Sequence, residues 1–336
     1  MATQEEQHEQ LVVDPIVADT EHNDAGADSV FSGHTGSSLT SIRSSILQHQ
    51  FENGRTYHSF SAGKYAYPND EREAERLDMQ HYIFLLTFRG GIALSPKAAG
   101  AKRVLDIGTG TGAWAIDYAD AHPEAEVIGV DLSPIQPAWV PPNLQFEIDD
   151  VEQDWTWTKP FDFIFSRAMA GSFADPGAFV EKAFNALEPG GVLEMQDFIC
   201  RYSCDDGTLK PDSPLEKLSD ACFEAAEKMG RPLDLAPTYK SLLEKAGFVD
   251  VVEKRFKWPL NPWPKDPYFK ELGKWTFAMM DQGIEGLSLA LLTRGLGWSA
   301  EEALVTISEA RPVVRDRNVH AYLPIFVVYG RKPDTA

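Results

Sequence analysis

The sequence has few basic residues, and it has no long apolar run. Its 336 residues include 31 Lys and Arg against 51 Asp and Glu, which gives a net charge of −20. Nucleic acids and anionic membrane surfaces attract clustered positive charge, so this balance argues against both as partners. No apolar stretch approaches the roughly 20 residues that a bilayer-spanning helix needs, and we expect no membrane insertion.

Cysteine is also scarce, with only Cys200, Cys204 and Cys222. The Cys200-x-x-x-Cys204 spacing lacks a second pair or a nearby histidine that would complete a metal site. We therefore predict ordinary reduced cysteines and no bound metal. Residues 1–6 contain neither a basic nor an apolar signal region. Together these features predict an intracellular protein, cytoplasmic with the nucleus as the alternative.

The N-terminal part of the chain divides into two predicted segments. Residues 1–40 are rich in Glu, Asp, Gln, Ser, Thr and Gly. This composition buries too little apolar surface to offset the entropy of ordering, so we predict a disordered acidic tail. Residues 41–100 are predicted to form an N-terminal helical extension that can act as a lid, with an aromatic loop-like stretch at 57–70 and a helix from Asp70.

The most informative stretch is VLDIGTGTG, residues 104–112, in which an apolar strand leads into alternating glycines. A helix-forming run follows, so we predict a strand, a tight turn and a helix N-terminus. Glycines there permit backbone angles that a Cβ would hinder. The spacing of Gly108, Gly110 and Ala113 also satisfies the dinucleotide fingerprint. A nicotinamide-dependent oxidoreductase is therefore one alternative.

Two acids at predicted strand ends favour a different ligand. Asp106 lies two residues before the first glycine, where a carboxylate would repel a pyrophosphate. It suits a ligand that carries an ammonium or sulfonium group, such as S-adenosylmethionine. Asp131 ends the next strand, where an acid of a Rossmann-like sheet binds ribose hydroxyls. The alternative for Asp131 is a simple Asp-Ser-Pro turn.

Strands and helices alternate through the middle of the chain. Strands are predicted at 103–107, 126–131, 144–149, 161–166 and 191–198, with helices at 112–121 and 175–187. This alternation predicts a parallel sheet covered on both faces. Ligands of such sheets bind beyond the carboxyl ends of the strands. One cleft should therefore collect Asp106, Asp131, Asp149, Asp150, Ser166, Arg167 and Asp197.

The pattern changes after Asp197. Helices are predicted at 215–229, 237–246 and 268–292, and apolar strands at 249–258 and 318–330. We predict one α/β domain over 101–336, with helical insertions at about 205–240 and 262–312. Trp275, Phe277, Met279 and Met280 form an aromatic and methionine stripe that can line a substrate pocket.

The chain resembles the class I S-adenosylmethionine-dependent methyltransferases, and more closely their LaeA-like fungal branch. The resemblance extends from residue 57 to residue 332. The motifs that carry it are YH at 57–58, YPND at 67–70, RLDMQH at 76–81, the glycine loop at 104–112, VDLSPIQP at 130–137, PPNL at 141–144, DD at 149–150, LEPGG at 187–191 and VHAY at 319–322.

This resemblance implies an α/β fold with a Rossmann-like seven-stranded, mostly parallel sheet whose last strand is antiparallel. It also implies S-adenosylmethionine as methyl donor. Asp106 and the glycine loop surround the methionine part, Asp131 binds the ribose, and Asp150 with Val151 binds the adenine. The implied cofactor residues are Tyr57, Asp106, Gly108, Thr109, Gly110, Gly112, Asp131, Leu132, Asp149, Asp150, Val151, Ser166 and Arg167.

The implied activity is methyl transfer to an O or N atom of a small molecule in fungal secondary metabolism. The alternative is a LaeA-like regulator that acts through protein partners, and a protein partner or homodimer is expected in that case. A hydroxyl acceptor needs a base within reach. The candidate bases are Asp197, His81 and His320, with His58 as a further one. A purely structural role is the alternative for each.

Overall fold

The apolar runs predicted as central strands bury side chains on both faces of one sheet. In the computed structural model, which describes residues 49–334, Leu105 and Ile164 pack into one hydrophobic cluster, whereas Val104 and Phe163 pack into another. Neighbouring residues of a strand point to opposite faces, so the two clusters lie on the two sides of the sheet. Parallel sheets that are covered on both faces have this pattern.

The strands agree closely with the sequence prediction. Between residues 49 and 334 they are β1 (His49–Glu52), β2 (Arg55–His58), β3 (Arg103–Ile107), β4 (Glu126–Asp131), β5 (Leu144–Ile148), β6 (Phe161–Arg167), β7 (Leu187–Phe198), β8 (Val249–Pro259) and β9 (Tyr322–Arg331). The large sheet has the order β5-β4-β3-β6-β7-β9-β8. Its strands β3 to β7 pair in parallel, and β9 is antiparallel to β7 and β8. The predicted Rossmann-like sheet is confirmed.

The helices of the same part of the chain are α1 (Glu71–Thr87), α2 (Ala113–Ala121), α3 (Pro176–Ala186), α4 (Pro214–Lys228), α5 (Tyr239–Ala246), α6 (Pro267–Ala290) and α7 (Ala300–Arg315). A π-helical segment, Leu291–Gly295, continues α6. Asp70 begins α1 as its N-cap, because its carboxylate accepts a hydrogen bond from the Glu73 N–H. Helices α4, α6 and α7 lie mainly within the segments predicted as helical insertions.

Strand β7 begins four residues earlier than predicted. The sequence predicted a helix that ends at 187 and a strand that begins at 191, but residues 187–190 are already part of the strand. The Gly190 N–H donates to the Lys332 carbonyl (3.0 Å), and the Lys332 N–H donates to the Gly191 carbonyl (2.8 Å). Pairing with residues more than 140 positions away overrides the local turn preference of Pro and Gly.

The N-terminal extension contains a β-hairpin that the sequence prediction missed. Strands β1 and β2 pair antiparallel, with His49 opposite His58, at the start of a segment that we expected to be helical or loop-like. The connecting Asn53 and Gly54 have φ angles of 50° and 79°. An Asn-Gly pair with positive φ at both residues is the preferred two-residue hairpin turn. The signal was therefore present in the sequence.

Contacts with the later helices and with β8 hold the extension in place. Arg294, at the end of α6, pairs with Glu52 of the hairpin at 2.6 Å. The indole N–H of Trp258 donates to the Thr87 hydroxyl (2.7 Å) at the end of α1. Helix α1 packs against α6, so the extension and the α6 segment form one layer above the carboxyl ends of the sheet.

The predicted acidic tail, residues 1–40, lies outside the described residues. None of the helices between residues 49 and 334 combines the length and the hydropathy that crossing a bilayer requires.

The tight approach of α6 to the preceding connection yields a prediction about stability. A Cβ added at Gly273 would lie 2.4 Å from the Asn261 carbonyl oxygen. Gly273→Ala should therefore lower the free energy of unfolding by about 1–3 kcal/mol, although alanine ordinarily favours a helix interior. Chemical denaturation measures this change. The exposed neighbour Lys274→Ala is the control, with an expected change within about 0.5 kcal/mol. A stabilised Gly273→Ala variant would contradict the packing described.

Candidate active site

One cavity opens at the carboxyl ends of β3, β4 and β6, where the order of the strands reverses and where ligands of such sheets bind. It encloses about 1740 Å³, counting the space at its open mouth. The N-terminal extension, the strand ends, α4 and α6 all contribute to its wall. The residues predicted from sequence that line it are Asp106, Gly108, Thr109, Gly110, Asp131, Leu132, Asp149, Asp150, Val151, Arg167, His81 and Asp197.

The loop between β3 and α2 has two positions, Gly108 and Gly112, that leave no room for a side chain. Gly108 and Gly112 have φ angles of 68° and 83°, which favour glycine. A Cβ at Gly108 would lie 2.2 Å from Sδ of Met169, and one at Gly112 would lie 2.3 Å from Cζ of Phe146. Met169 and Phe146 therefore pack directly against the main chain of the loop, and both positions require glycine.

Asp106 is a buried carboxylate at the end of β3 with only partial compensation of its charge. Its Oδ2 accepts a hydrogen bond from the Thr109 hydroxyl at 2.6 Å. Burial raises the pKa of the Asp106 carboxyl to about 7, although the Thr109 hydrogen bond and the charge of Arg167 oppose the shift. A cation placed in the cavity would stabilise the ionised form.

Asp131, at the end of β4, holds the glycine loop and closes a turn at the same time. Its Oδ2 accepts from the Gly110 N–H (2.8 Å), and its Oδ1 accepts from the Ser133 N–H (2.9 Å). The second bond is the Asp-Ser-Pro turn considered as an alternative, and the binding of ribose hydroxyls by Asp131 stays a prediction. Burial raises the pKa of its carboxyl. Asp131 thus adds a second buried acid to this side of the cavity.

The acid expected to bind adenine is engaged by the N-terminal extension. Asp150 accepts hydrogen bonds from the Ser61 hydroxyl (3.0 Å), from Lys64, and from the Glu152 N–H (3.1 Å). Burial opposes ionisation, but Lys64 holds the pKa of the Asp150 carboxyl below its usual value. The extension therefore fixes the edge of the cavity where the adenine is predicted to bind.

Arg167 and His81 bind each other as well as lining the cavity. Arg167 Nε donates to Gln196 (2.9 Å), and its Nη1 lies 2.9 Å from His81 Nδ1. Arginine is only a donor, so His81 Nδ1 accepts and its Nε2 donates to Asp117 at 2.8 Å. Burial lowers the pKa of Arg167 to about 9. Both ring nitrogens of His81 are thus engaged in joining α1 to the sheet.

Asp197 fixes the loop that follows β6. Its Oδ2 accepts from the Met169 N–H (2.9 Å) and from the Tyr239 hydroxyl (2.8 Å), and its Oδ1 accepts from the Phe198 N–H (2.9 Å). Burial raises the pKa of its carboxyl to about 6, although the Tyr239 hydrogen bond opposes the shift. Because Met169 packs against Gly108, Asp197 indirectly supports the glycine loop.

Five residues predicted for the site do not line this cavity: Tyr57, His58, Gly112, Ser166 and His320. Ser166 precedes Arg167 in β6, so the two side chains point to opposite faces. The ring of Tyr57 is covered by Arg294 at 4.5 Å. His320 Nδ1 lies 2.5 Å from Asp206 Oδ2, and its ring packs on Trp263. These contacts correct the expected placement of Tyr57, Ser166 and His320, while Gly112 serves the turn that begins α2.

The sequence analysis did not identify several residues of the cavity wall as part of the site. Tyr65, Tyr67, Arg76 and Gln80 contribute from the extension, and apolar residues contribute from α4 and α6. Arg76 and Gln80 are four residues apart, so they share one face of α1. This spacing inside RLDMQH was the available signal, but nothing in the sequence says which face of α1 meets the cavity.

The charge of this site fits S-adenosylmethionine better than a dinucleotide. Asp106 and Asp131 both place buried carboxylates beside the glycine loop, and both have raised pKa values because of burial. A pyrophosphate would add negative charge within a few ångströms. A ligand with an ammonium and a sulfonium group offsets the negative charge of both acids.

Comparison with known proteins agrees with this geometry. A family model described as a methyltransferase domain matches residues 79–253, about half of the chain. The chain belongs to the methyltransferase family. Among the relatives of this methyltransferase, methyltransferase pytC of Aspergillus terreus is 41% identical over 300 residues, which cover 89% of this chain and 93% of pytC.

Two further relatives differ in how they are named. Probable methyltransferase tdiE of Emericella nidulans is 37% identical and covers 79% of this methyltransferase and 84% of its own length. Secondary metabolism regulator LAE1 of Cochliobolus heterostrophus is 38% identical and covers 84% of this methyltransferase and 94% of its own length. The resemblance inferred from the sequence motifs is confirmed at the level of the family.

Asp106 should make cofactor affinity depend on pH. Binding a cation requires the ionised carboxylate, whose pKa in the free protein is about 7. The affinity for S-adenosylmethionine should therefore rise roughly tenfold between pH 6 and pH 8, as measured by calorimetry. Asp106→Asn should weaken S-adenosylmethionine binding by ~10-fold or more and should remove most of the dependence of affinity on pH. Glu309→Gln on the exposed face of α7 should retain both the affinity and its pH dependence. If the affinity of Asp106→Asn depended on pH as strongly as that of the unmodified chain, the dependence would not be due to Asp106.

Asp197 should behave as a structural acid. Asp197→Asn replaces an acceptor oxygen by an NH₂ group that faces backbone or tyrosine donors, so the free energy of unfolding should fall by about 1–3 kcal/mol. Tyr239→Phe removes only one hydrogen bond and should cost about 1 kcal/mol. Thermal and chemical denaturation measure both. An Asp197→Asn variant with unchanged stability and cofactor affinity but no methyl transfer would instead identify Asp197 as a base.

Proposed function

We propose that this chain is an S-adenosylmethionine-dependent methyltransferase that acts on an O or N atom of a small molecule, in fungal secondary metabolism. The observation that carries the proposal is the continuity of the cavity. The acidic region around Asp106 and Asp131 opens directly into an apolar region bounded by α4 and α6. One cavity thus offers space for a cationic cofactor and for an apolar acceptor.

Under this proposal the residues of the chain hold and align the two reactants. Asp106 and the glycine loop hold the methionine part of the cofactor, Asp131 holds the ribose, and Asp150 with Val151 holds the adenine. When bound, S-adenosylmethionine supplies a methyl group that leaves its sulfonium sulfur, on which the bonding electrons remain. The protein contributes alignment of the acceptor atom and exclusion of water. The burial of the strand-end acids favours such a water-poor site.

The hydrogen bonds of the candidate bases favour positioning roles. His81 is engaged at both ring nitrogens by Arg167 and Asp117. Asp197 receives hydrogen bonds at both oxygens. A neutral amine, or a hydroxyl acidic enough to ionise readily, needs no strong base for attack. We therefore propose that transfer relies on alignment and on the acidity of the acceptor.

A regulatory role is the second candidate. LAE1 is named a secondary metabolism regulator, and it is 38% identical to this chain over 84% of this chain's length. In that case the protein would act through a protein partner or as a homodimer, and the nucleus would be the expected compartment. Cofactor binding alone does not separate the two roles, because both use the same glycine loop and acids. The two roles are distinguished by whether the methyl group is transferred to a small molecule.

The test incubates the full chain with methyl-labelled S-adenosylmethionine and a native cell extract, followed by solvent extraction. We expect label in the extractable small molecules, and we expect it to be absent with Asp131→Ala. Asp131→Ala should reduce cofactor affinity because it removes the buried acid that also holds the Gly110 N–H. Label only in protein, or no label above the variant, would favour the regulatory role.

A further inference from the structure

One part of the cavity, which we call the acceptor lobe, combines several polar groups with an apolar wall. It is formed by the inward faces of α4 and α6 together with Tyr65, Tyr67, Arg76 and Tyr202. Leu218, Phe223, Met280 and Ile284 supply apolar surface. Aromatic and methionine side chains of this kind suit flat ring systems.

Three tyrosine hydroxyls in this lobe have no hydrogen-bond partner among the residues that the structure describes. These are the hydroxyls of Tyr65, Tyr67 and Tyr202, and all three side chains line the cavity. Burial raises the pKa of each phenol, so each hydroxyl keeps its proton and can donate. The three side chains are half-buried and line an apolar wall, so a polar atom of a ligand in the cavity would give each hydroxyl a hydrogen-bond partner.

Arg76 adds a fixed cationic donor to the same lobe. Its side chain is about 4% exposed; Nε and Nη2 donate to Glu73 Oε1, and Nη1 donates to Gln80 Oε1. These bonds use three of the five N–H groups of a guanidinium. Burial opposes its charge, but Glu73 keeps the pKa of Arg76 above its usual value. Two N–H donors remain for a ligand.

The guanidinium is also confined by its neighbours. A Cβ at Gly283 of α6 would lie 2.4 Å from Cδ of Arg76, so the glycine makes room for the arginine stem. The charge of Arg76 acts on the pKa values of Tyr65 and Tyr67 and on that of Cys200. The ring centroids of Tyr65 and Tyr67 lie 5.0 Å apart, so these two tyrosines lie close to each other as well as within the influence of Arg76.

Free acceptor groups for a cationic ligand are scarce in the lobe. Asp131 and Asp197 are the lining carboxylates that act on the pKa of Tyr65. The oxygens of Asp131 already accept from the Gly110 and Ser133 N–H groups, and those of Asp197 accept from Met169, Phe198 and Tyr239. Glu73 is paired with Arg76. An ammonium group would lose its hydration without gaining an ion pair, which is unfavourable in a buried site.

We propose that the acceptor is a ring-containing phenol or enol whose oxygens bind Arg76 and the tyrosine hydroxyls. This inference rests on the proposed methyltransferase function and narrows its acceptor to an oxygen nucleophile. The donors match hydroxyl and carbonyl oxygens, the apolar wall matches the ring skeleton, and the engaged carboxylates exclude an ammonium-bearing acceptor. A phenol or enol is also the kind of hydroxyl that ionises without a strong base.

The test measures binding to the full chain saturated with S-adenosylhomocysteine, by calorimetry, with three probes of one skeleton. They are 1,3-dihydroxynaphthalene, naphthalene and 1-naphthylmethylamine. We expect the diol to bind at least tenfold more tightly than the hydrocarbon or the amine. Equal binding of all three, tighter binding of the amine, or no binding of the diol would overturn the inference.

Matched variants locate the interaction. Tyr67→Phe and Tyr202→Phe remove hydroxyls that bond no described residue, so both should fold normally. Each should weaken diol binding by roughly 3- to 10-fold, while naphthalene binding and S-adenosylhomocysteine affinity stay unchanged. Tyr82→Phe, which lies outside the cavity, is the control. Unchanged diol affinity in both variants would place the diol elsewhere and overturn the inference.

The two levels of the proposal fail in different ways. If the unmodified chain bound no S-adenosylhomocysteine, the proposed function itself would be wrong. If S-adenosylhomocysteine bound but the diol showed no preference, only the acceptor class would be wrong.

Discussion

The structure depends on burying negative charge where two parallel strands end beside a glycine loop. Asp106 and Asp131 lie there with too few donors to offset their desolvation, and the pKa of each carboxyl is raised. A fold that only maximised stability would place apolar residues at these positions. The retained acids make the free protein less stable near neutral pH than it would be with a cation bound, and they therefore couple folding to the ligand.

The N-terminal extension completes the cavity through polar contacts spread along its length. Lys64 and Ser61 bind Asp150, Asp78 accepts from the Thr111 hydroxyl at 2.7 Å, and His81 reaches Asp117 and Arg167. These contacts link one segment to the ends of several strands. The extension therefore shapes both the cofactor side and the acceptor lobe, and a change in its position would alter both.

The sequence predicted those parts of the molecule that depend on local pattern. The strand, glycine loop and helix at 104–121, the start of α1 at Asp70, and the apolar strand β9 all agree with their patterns, whereas the antiparallel direction of β9 was implied by the family resemblance. The missed features depend on contacts between distant segments. The strand at 188–191 needs Lys332, and the face that α1 turns towards the cavity is set by packing against α6. Residue type and strand-end position likewise identified Arg167 and Asp197 without revealing that Gln196 and Tyr239 engage them.

The difference between features set by local sequence pattern and features set by distant contacts bears on the choice between an enzyme and a regulator. The glycine loop and its acids can be read from sequence, but they report only on the cofactor, which both roles would use. The acceptor lobe is assembled from the extension, α4 and α6, and it exposes unpaired tyrosine hydroxyls beside Arg76. A protein that worked solely through protein partners would have no use for hydrogen-bond donors that line an apolar cavity, and apolar residues would fill the lobe equally well. The retention of these donors is therefore a physical argument for a bound acceptor.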